Sequence, residues 1–122
     1  MEVRFTDVDS QNHVNHLKIL EWVAHERVKL FDRALLEAGW IETLDHVLVS
    51  ITAEFKLEIF YPGDIEILSY VDKIGGSSVH TGYKVMYWDK VAATVSCINV
   101  FLTEDGLPIQ VDERLRGELN IA

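Results

Sequence analysis

Cysteine is almost absent from this sequence: Cys97 stands alone among 122 residues, which excludes an internal disulfide. It lies in the apolar run Val95-Ser96-Cys97-Ile98 and reads as a packed strand thiol, not a nucleophile. Basic residues are also scarce, with 11 Lys and Arg against 20 Asp and Glu and a formal net charge of −9. No basic cluster is present to displace counterions from phosphates, which argues against nucleic acid as a partner. No apolar stretch reaches the ~20 residues that span a bilayer, so no membrane partner is expected. Met1-Glu2-Val3-Arg4-Phe5 lacks the basic segment and apolar block of a secretory leader, and the expectation is a cytoplasmic protein. Repeats, low-complexity tracts and linkers are missing as well. What remains is one expected domain over residues 1–122, with 48% apolar residues to build its core.

Val3-Arg4-Phe5 reads as a short strand running into a polar loop, Asp7 to Asn15. A helix follows, with Asn15 as its N-cap and Gly39 as its stop. Leu20, Val23, Ala24, Phe31, Ala34, Leu35 and Ala38 fall at the spacing of one helix face. The period then changes to two. Val47, Val49, Ile51, Ala53, Phe55, Leu57 and Ile59 alternate with polar residues as in a long half-buried strand. Tyr61-Pro62-Gly63-Asp64 reads as a turn, with Pro62 setting one angle and Gly63 supplying a positive φ. Three further strands are expected near residues 65–74, 78–88 and 91–103, separated by Gly75-Gly76 and Asp89-Lys90. The pattern is α+β, a long helix near the N-terminus covered by an antiparallel sheet.

The chemistry concentrates in Asp7-Val8-Asp9-Ser10-Gln11-Asn12-His13-Val14-Asn15-His16, immediately before the helix. Carboxylates, amides and imidazoles polarise water, and the unpaired N–H groups of a first helical turn hold a developing oxyanion. With Asn15 as cap, the N–H groups of His16 and Leu17 are expected to be free, and the combination points to acyl-transfer chemistry. Each residue has a plainer reading. Asp7 and Asp9 also suit turns that bond side chain to backbone, a reading favoured for Asp7. His13, His16 and His25 have no ligand spacing that completes a metal site, and no metal or cofactor is expected. Asp7, Asp9 and Gln11 imitate the start of an EF-hand loop, but Asn12 replaces its obligatory Gly and Lys18 its bidentate Glu. Gly75-Gly76-Ser77-Ser78 reads first as a hairpin turn; its N–H groups also suit a phosphate, which makes Ser77 and Ser78 substrate-binding candidates. Arg27, inside the apolar stripe, calls for an anionic partner, and a structural ion pair is the first expectation, ahead of substrate contact.

The order strand, acidic loop, long helix, long strand ending in Tyr61-Pro62-Gly63-Asp64, and three more strands resembles the hotdog-fold thioesterases. Within them the chain is most similar to the 4-hydroxybenzoyl-CoA thioesterase-like group, and the loop is also similar to that of plant-type acyl-ACP thioesterases. The resemblance covers nearly the whole chain and is sharpest over Asp7 to Trp22. It implies that Asp9 is the catalytic carboxylate, as nucleophile on the thioester or as base toward water. His13 and Asn15 match a His-Val-Asn signature that orients the water or the loop, and the backbone N–H of His16 matches the donor to the thioester oxygen. Gln11 and Asn12 are carried over as substrate-binding positions. Many relatives have Gly where Asn12 stands, Asn where His16 stands and Glu where Ala24 stands, and the acyl-ACP enzymes have Asn where Gln11 stands.

The implied activity is hydrolysis of an acyl thioester of coenzyme A or of acyl carrier protein. A hotdog hydratase or dehydratase ranks second, because its signature encloses four residues between Asp and His, whereas Asp9 and His13 enclose three and Asp7 and His13 five. A non-catalytic acyl-binding module is a third reading, needing the pocket but not Asp9. One helix covers only part of a sheet of four long strands, so a homodimer joined edge to edge, or a homotetramer, is expected. The resemblance implies that each site lies at that interface.

Overall fold

The computed structural model describes residues 1–39, 45–103 and 105–121. A 3-10 turn at Phe5–Asp7 precedes α1 (His16–Glu37), β1 (Asp45–Phe55), β2 (Ile65–Ile74), β3 (Ser78–Tyr87), β4 (Lys90–Leu102) and α2 (Glu113–Ile121). The strands form an antiparallel sheet in the order β1-β4-β3-β2. Helix and strand boundaries follow local chemistry. Asn15 keeps an extended backbone while its side chain accepts the Leu17 N–H at 2.8 Å, which caps α1. Gly39 then takes φ +88, the left-handed stop that a side chain disfavours.

The face of α1 that meets the sheet is Ile19, Val23, Leu30, Phe31, Ala34 and Leu35. Leu20 and Ala24 are only half-buried, because the apolar surface of the helix is wider than its contact with the sheet. The core divides in two. Val14, Ile19, Val23, Ile59, Tyr83 and Val95 belong to a cluster under the N-terminal half of α1. Leu30, Phe31, Leu35, Phe101, Leu115 and Leu119 belong to a second, which α2 closes. The sequence reading left α2 unassigned, although Asp112 announces it by accepting the Leu115 N–H at 2.7 Å.

Three expectations are corrected. Val3 to Phe5 is not a strand: Glu2 makes an isolated bridge with Asp64, and the chain then turns because Asp7 Oδ2 accepts the Arg4 N–H at 2.8 Å while the Asp7 N–H reaches the Arg4 carbonyl at 2.9 Å. Gly63 is not at positive φ; a side chain there would lie 2.6 Å from Tyr87 Cε1 and 2.9 Å from the Phe60 carbonyl, so glycine serves close approach. The preceding Tyr61-Pro62 peptide is cis.

The third correction concerns β1, which ends at Phe55 and carries an irregularity between Leu48 and Ser50. The extra residue reverses the side-chain alternation, since the period of a strand is two. His46, Leu48, Ile51, Ala53 and Phe55 stand opposite Phe101, Asn99, Cys97, Val95 and Ala93, the buried residues on the helix-facing side of β4. Val47 and Val49 therefore face away from the helix. Nor is the strand half-buried: Leu48, Ile51 and Phe55 are 39%, 42% and 45% exposed, because α1 lies over the β2 and β3 side of the sheet. The result is an apolar trough along the inner face of β1, open along one edge.

Candidate active site

The loop before α1 is pinned at both ends to the core. Val8 bridges Val14 and His13 bridges Phe60, and the Val14 N–H donates to the Ile59 carbonyl at 2.7 Å. Asn12 sits at its tip with φ 65, a left-handed conformation that Asn tolerates better than most residues. Its Nδ2 donates to the Tyr61 carbonyl at 3.1 Å, a latch to the turn after β1. Asn12 thus has a structural use whatever it offers a substrate.

Within this frame Asp9 stays accessible, its side chain 40% exposed. Oδ1 accepts the Gln11 N–H at 2.9 Å, and Oδ2 lies 3.5 Å from His13 Nδ1. His13 Nε2 lies 2.8 Å from Gln11 Oε1, so the imidazole is held between Gln11 and Asp9 with an oxygen opposite each ring nitrogen. The Asp9 N–H donates to the His13 carbonyl at 3.2 Å and the Asn12 N–H to the Asp9 carbonyl at 3.0 Å, closing the loop on itself. Asp7 differs: it is buried, its carboxylate accepts the Arg4 N–H, and Lys18 Nζ lies 3.9 Å from it. It therefore does the structural work that its favoured reading expects.

At the helix start, the expectation that two N–H groups are free is corrected. The Leu17 N–H is taken by Asn15 Oδ1, because a capping side chain reaches the second turn residue from this geometry. The His16 N–H has no partner among the described residues, and the positive end of the α1 dipole lies there. The His16 ring packs on Phe55 at 5.4 Å between centroids, which joins the helix start to the apolar trough of β1. An accessible carboxylate in the loop that leads into a helix with a free first N–H can activate water or attack a carbonyl while such a donor receives the oxyanion.

Ser77 and Ser78 are not brought to this loop within the chain. The Gly75 N–H donates to the Ser78 carbonyl at 2.8 Å, forming the β2–β3 hairpin, and Ser78 pairs with Val100. Phe55 pairs with Ala93, so the hairpin stands roughly 24 Å from that end of β4 at the ordinary strand rise. Sequence reasoning missed the trough beside Asp9, since the bulge that aims Leu48 and Ile51 into it has no signature in the alternation.

Arg27 has no carboxylate within ion-pair distance among the described residues, contrary to the expected structural pair. Its helical neighbours are Val23, Ala24, Leu30 and Phe31, all apolar, and its Nη1 reaches only Cys97 Sγ at 3.8 Å. Burial pushes the Cys97 thiol up, and burial raises Tyr83 to about 12 against the opposing Thr81 hydrogen bond. His25 lies on a different face, beside Trp22 and Ile67. No group of three His, Cys, Asp or Glu among the described residues is placed to hold a metal. No described helix is long and apolar enough to cross a membrane.

Comparison with known proteins bears on this arrangement. No curated protein matches the sequence. Among solved structures, a predicted thioesterase from Bacillus stearothermophilus superposes with a TM-score of 0.88 at 17% identity, over 99% of this chain and 91% of that one. A thioesterase from Thermus thermophilus, complexed with coenzyme A and Zn, gives 0.84 at 24% identity over 98% and 93%. DHNA-CoA thioesterase from Staphylococcus aureus gives 0.75 at 19% identity over 92% and 78%. At these identities the likeness establishes the hotdog fold and no more. Residues 3–117 match the family described as the thioesterase-like superfamily, and over that span, with a long helix laid on an antiparallel sheet, this hotdog chain belongs to it.

Proposed function

We propose that the protein hydrolyses an acyl thioester of coenzyme A or of acyl carrier protein, in the cytoplasm, as a homodimer or homotetramer. One observation carries the reading: an accessible Asp9 carboxylate, tethered by the Gln11 N–H and faced by His13, lies in the loop that leads into a helix whose first N–H, that of His16, is unpartnered among the described residues. A thioester carbonyl seated between them has its oxygen toward His16 and its carbon toward Asp9. As general base, Asp9 takes a proton from water, the oxygen attacks the carbonyl carbon, and collapse expels the thiolate, which recovers the proton from Asp9. As nucleophile, an Asp9 oxygen displaces the thiolate to give a mixed anhydride, which water then cleaves.

His13 and Gln11 hold Asp9, Asn12 latches the loop to the Tyr61 carbonyl, and Asn15 sets the direction of α1. All four are supporting positions in this reading, with Gln11 and Asn12 at the rim where the carrier arm enters. Ser77 and Ser78 reach the same site only from a second copy. The exposed apolar edge of β1 supports such a copy, since an unpaired strand of this kind is a template for association.

The test is release of free thiol from short, long and aromatic acyl-CoA and acyl carrier protein substrates by purified protein. Turnover that Asp9→Asn abolishes supports the reading; absence of thiol release across the panel refutes it. After single turnover in ¹⁸O-water, label in the Asp9 carboxylate identifies the anhydride route with water attacking the Asp9 carbon, whereas label in the product acid alone fits either route.

A further inference from the structure

Arg27 presents a charge that the chain itself does not answer among the described residues. It stands about three turns after His16 on α1, ~16 Å along the axis at 1.5 Å per residue. Helical side chains lean toward the N-terminus, so the guanidinium points back along the trough toward Asp9. Its Nε is buried without a hydrogen-bond partner, and Nη1 has only the sulfur of Cys97. Glu26, its sequence neighbour, pairs with Lys29 at 3.4 Å and makes no ion pair with Arg27.

The nearest acidic protons on the sheet stay in place at neutral pH. Tyr83 donates its hydroxyl to Thr81 at 2.9 Å, and burial holds both Tyr83 and Cys97 in their neutral forms. A half-buried guanidinium with no counter-charge among the described residues is costly, so the position calls for an anion. The place where Arg27 touches the sheet narrows the choice. Cys97 stands opposite Ile51, whose exposed side chain lines the trough beginning at His16 and Phe55. A molecule lying along that trough from the Asp9 loop passes Arg27.

We infer that Arg27 is a specificity-determining residue that reads a carboxylate carried by the acyl group, at the far end of a medium-length chain whose thioester lies at Asp9 and His16. The apolar wall of Ile51, Ala53 and Phe55 takes the methylenes, and Arg27 takes the terminal anion in a charge-assisted pair. This deepens the thioesterase reading and rests on it. A carboxylate borne by a second copy would satisfy the same guanidinium and give Arg27 a role in assembly, and the experiment distinguishes the two.

Octanoyl-CoA and suberyl-CoA have chains of equal length and differ in a terminal carboxylate. For the wild-type protein we expect kcat/KM on suberyl-CoA to exceed that on octanoyl-CoA. Arg27→Met should lower the suberyl value by about 10- to 100-fold, the weight of a charge-assisted pair, and leave the octanoyl value within about threefold. Arg27→Lys should keep part of the preference. Calorimetric titration with the corresponding thioether analogues, which cannot be hydrolysed, reads the same preference without turnover. Equal loss on both substrates, accompanied by dissociation in sedimentation, overturns the inference and assigns Arg27 to assembly. Hydrolysis of both substrates without preference overturns the inference and leaves the thioesterase reading standing. Selective binding of the suberyl analogue without hydrolysis of any thioester overturns the thioesterase reading and keeps Arg27 as the carboxylate reader.

Discussion

Asp9→Asn is the sharpest test of the proposed chemistry, because the structure separates what the carboxylate holds from what it does. Its Oδ1 accepts the Gln11 N–H at 2.9 Å, and the amide oxygen of Asn can accept the same bond, so the loop keeps its tether. The second oxygen, 3.5 Å from His13 Nδ1, becomes an amide nitrogen that can neither attack a carbonyl nor take a proton. Since Asp9 is 40% exposed, the lost contact with His13 should cost less than about 1 kcal/mol of stability. The expected fall in turnover is about 10²- to 10⁴-fold, which corresponds to ~2.7–5.4 kcal/mol at 1.36 kcal/mol per tenfold. Thiol release under single-turnover conditions reads the chemical step, and urea unfolding of the same preparation checks the fold. Turnover within tenfold of the parent, with the fold intact, would remove Asp9 from the mechanism.

The two histidines should separate: His13→Ala loses the ring between Gln11 and Asp9, whereas His16→Ala loses only a contact on Phe55 and keeps the backbone N–H, so turnover should fall further in the first, and the reverse order would refute the oxyanion assignment. Asn15→Ala removes the cap on Leu17 and should cost ~1 kcal/mol in urea unfolding, with Asn15→Asp retaining most of it; an unchanged midpoint would show that the cap contributes nothing. Sedimentation at micromolar concentration should show a dimer or larger; a monomer with full thioesterase activity would refute the shared sheet. Tyr83 has a folded pKa of about 12 against an ordinary 10, so the native state binds the proton more tightly and the associated stability, roughly 2–3 kcal/mol, is complete below pH 10 and lost as pH rises through 12. Tyr83→Phe should flatten that alkaline decline in urea unfolding, and an unchanged slope would contradict the assignment.

The sequence by itself determined the parts that depend on neighbours along the chain. Asn15 and Gly39 mark the ends of α1 because capping and left-handed termination are local preferences, and β2 to β4 emerge from alternation and turn residues within one position of their observed ends. The Asp9 loop was legible because its chemistry is contiguous from Asp7 to His16. Other features were settled only by tertiary structure. The bulge after Leu48 reverses which face of β1 meets the helix, and the pairing of β1 with β4 at the sheet edge, not the alternation of its residues, leaves that face open. Asp7 and Asp9 are alike in sequence, yet burial against Arg4 and Lys18 makes one structural and leaves the other accessible. Arg27 looked like half of an ion pair, yet no carboxylate among the described residues lies within ion-pair distance of it, and Ser77 and Ser78 stand apart from the loop because they lie at the opposite end of the sheet. In each case burial or strand register decides, and these are set by which segments the chain folds together over long sequence separation, a property no short window contains.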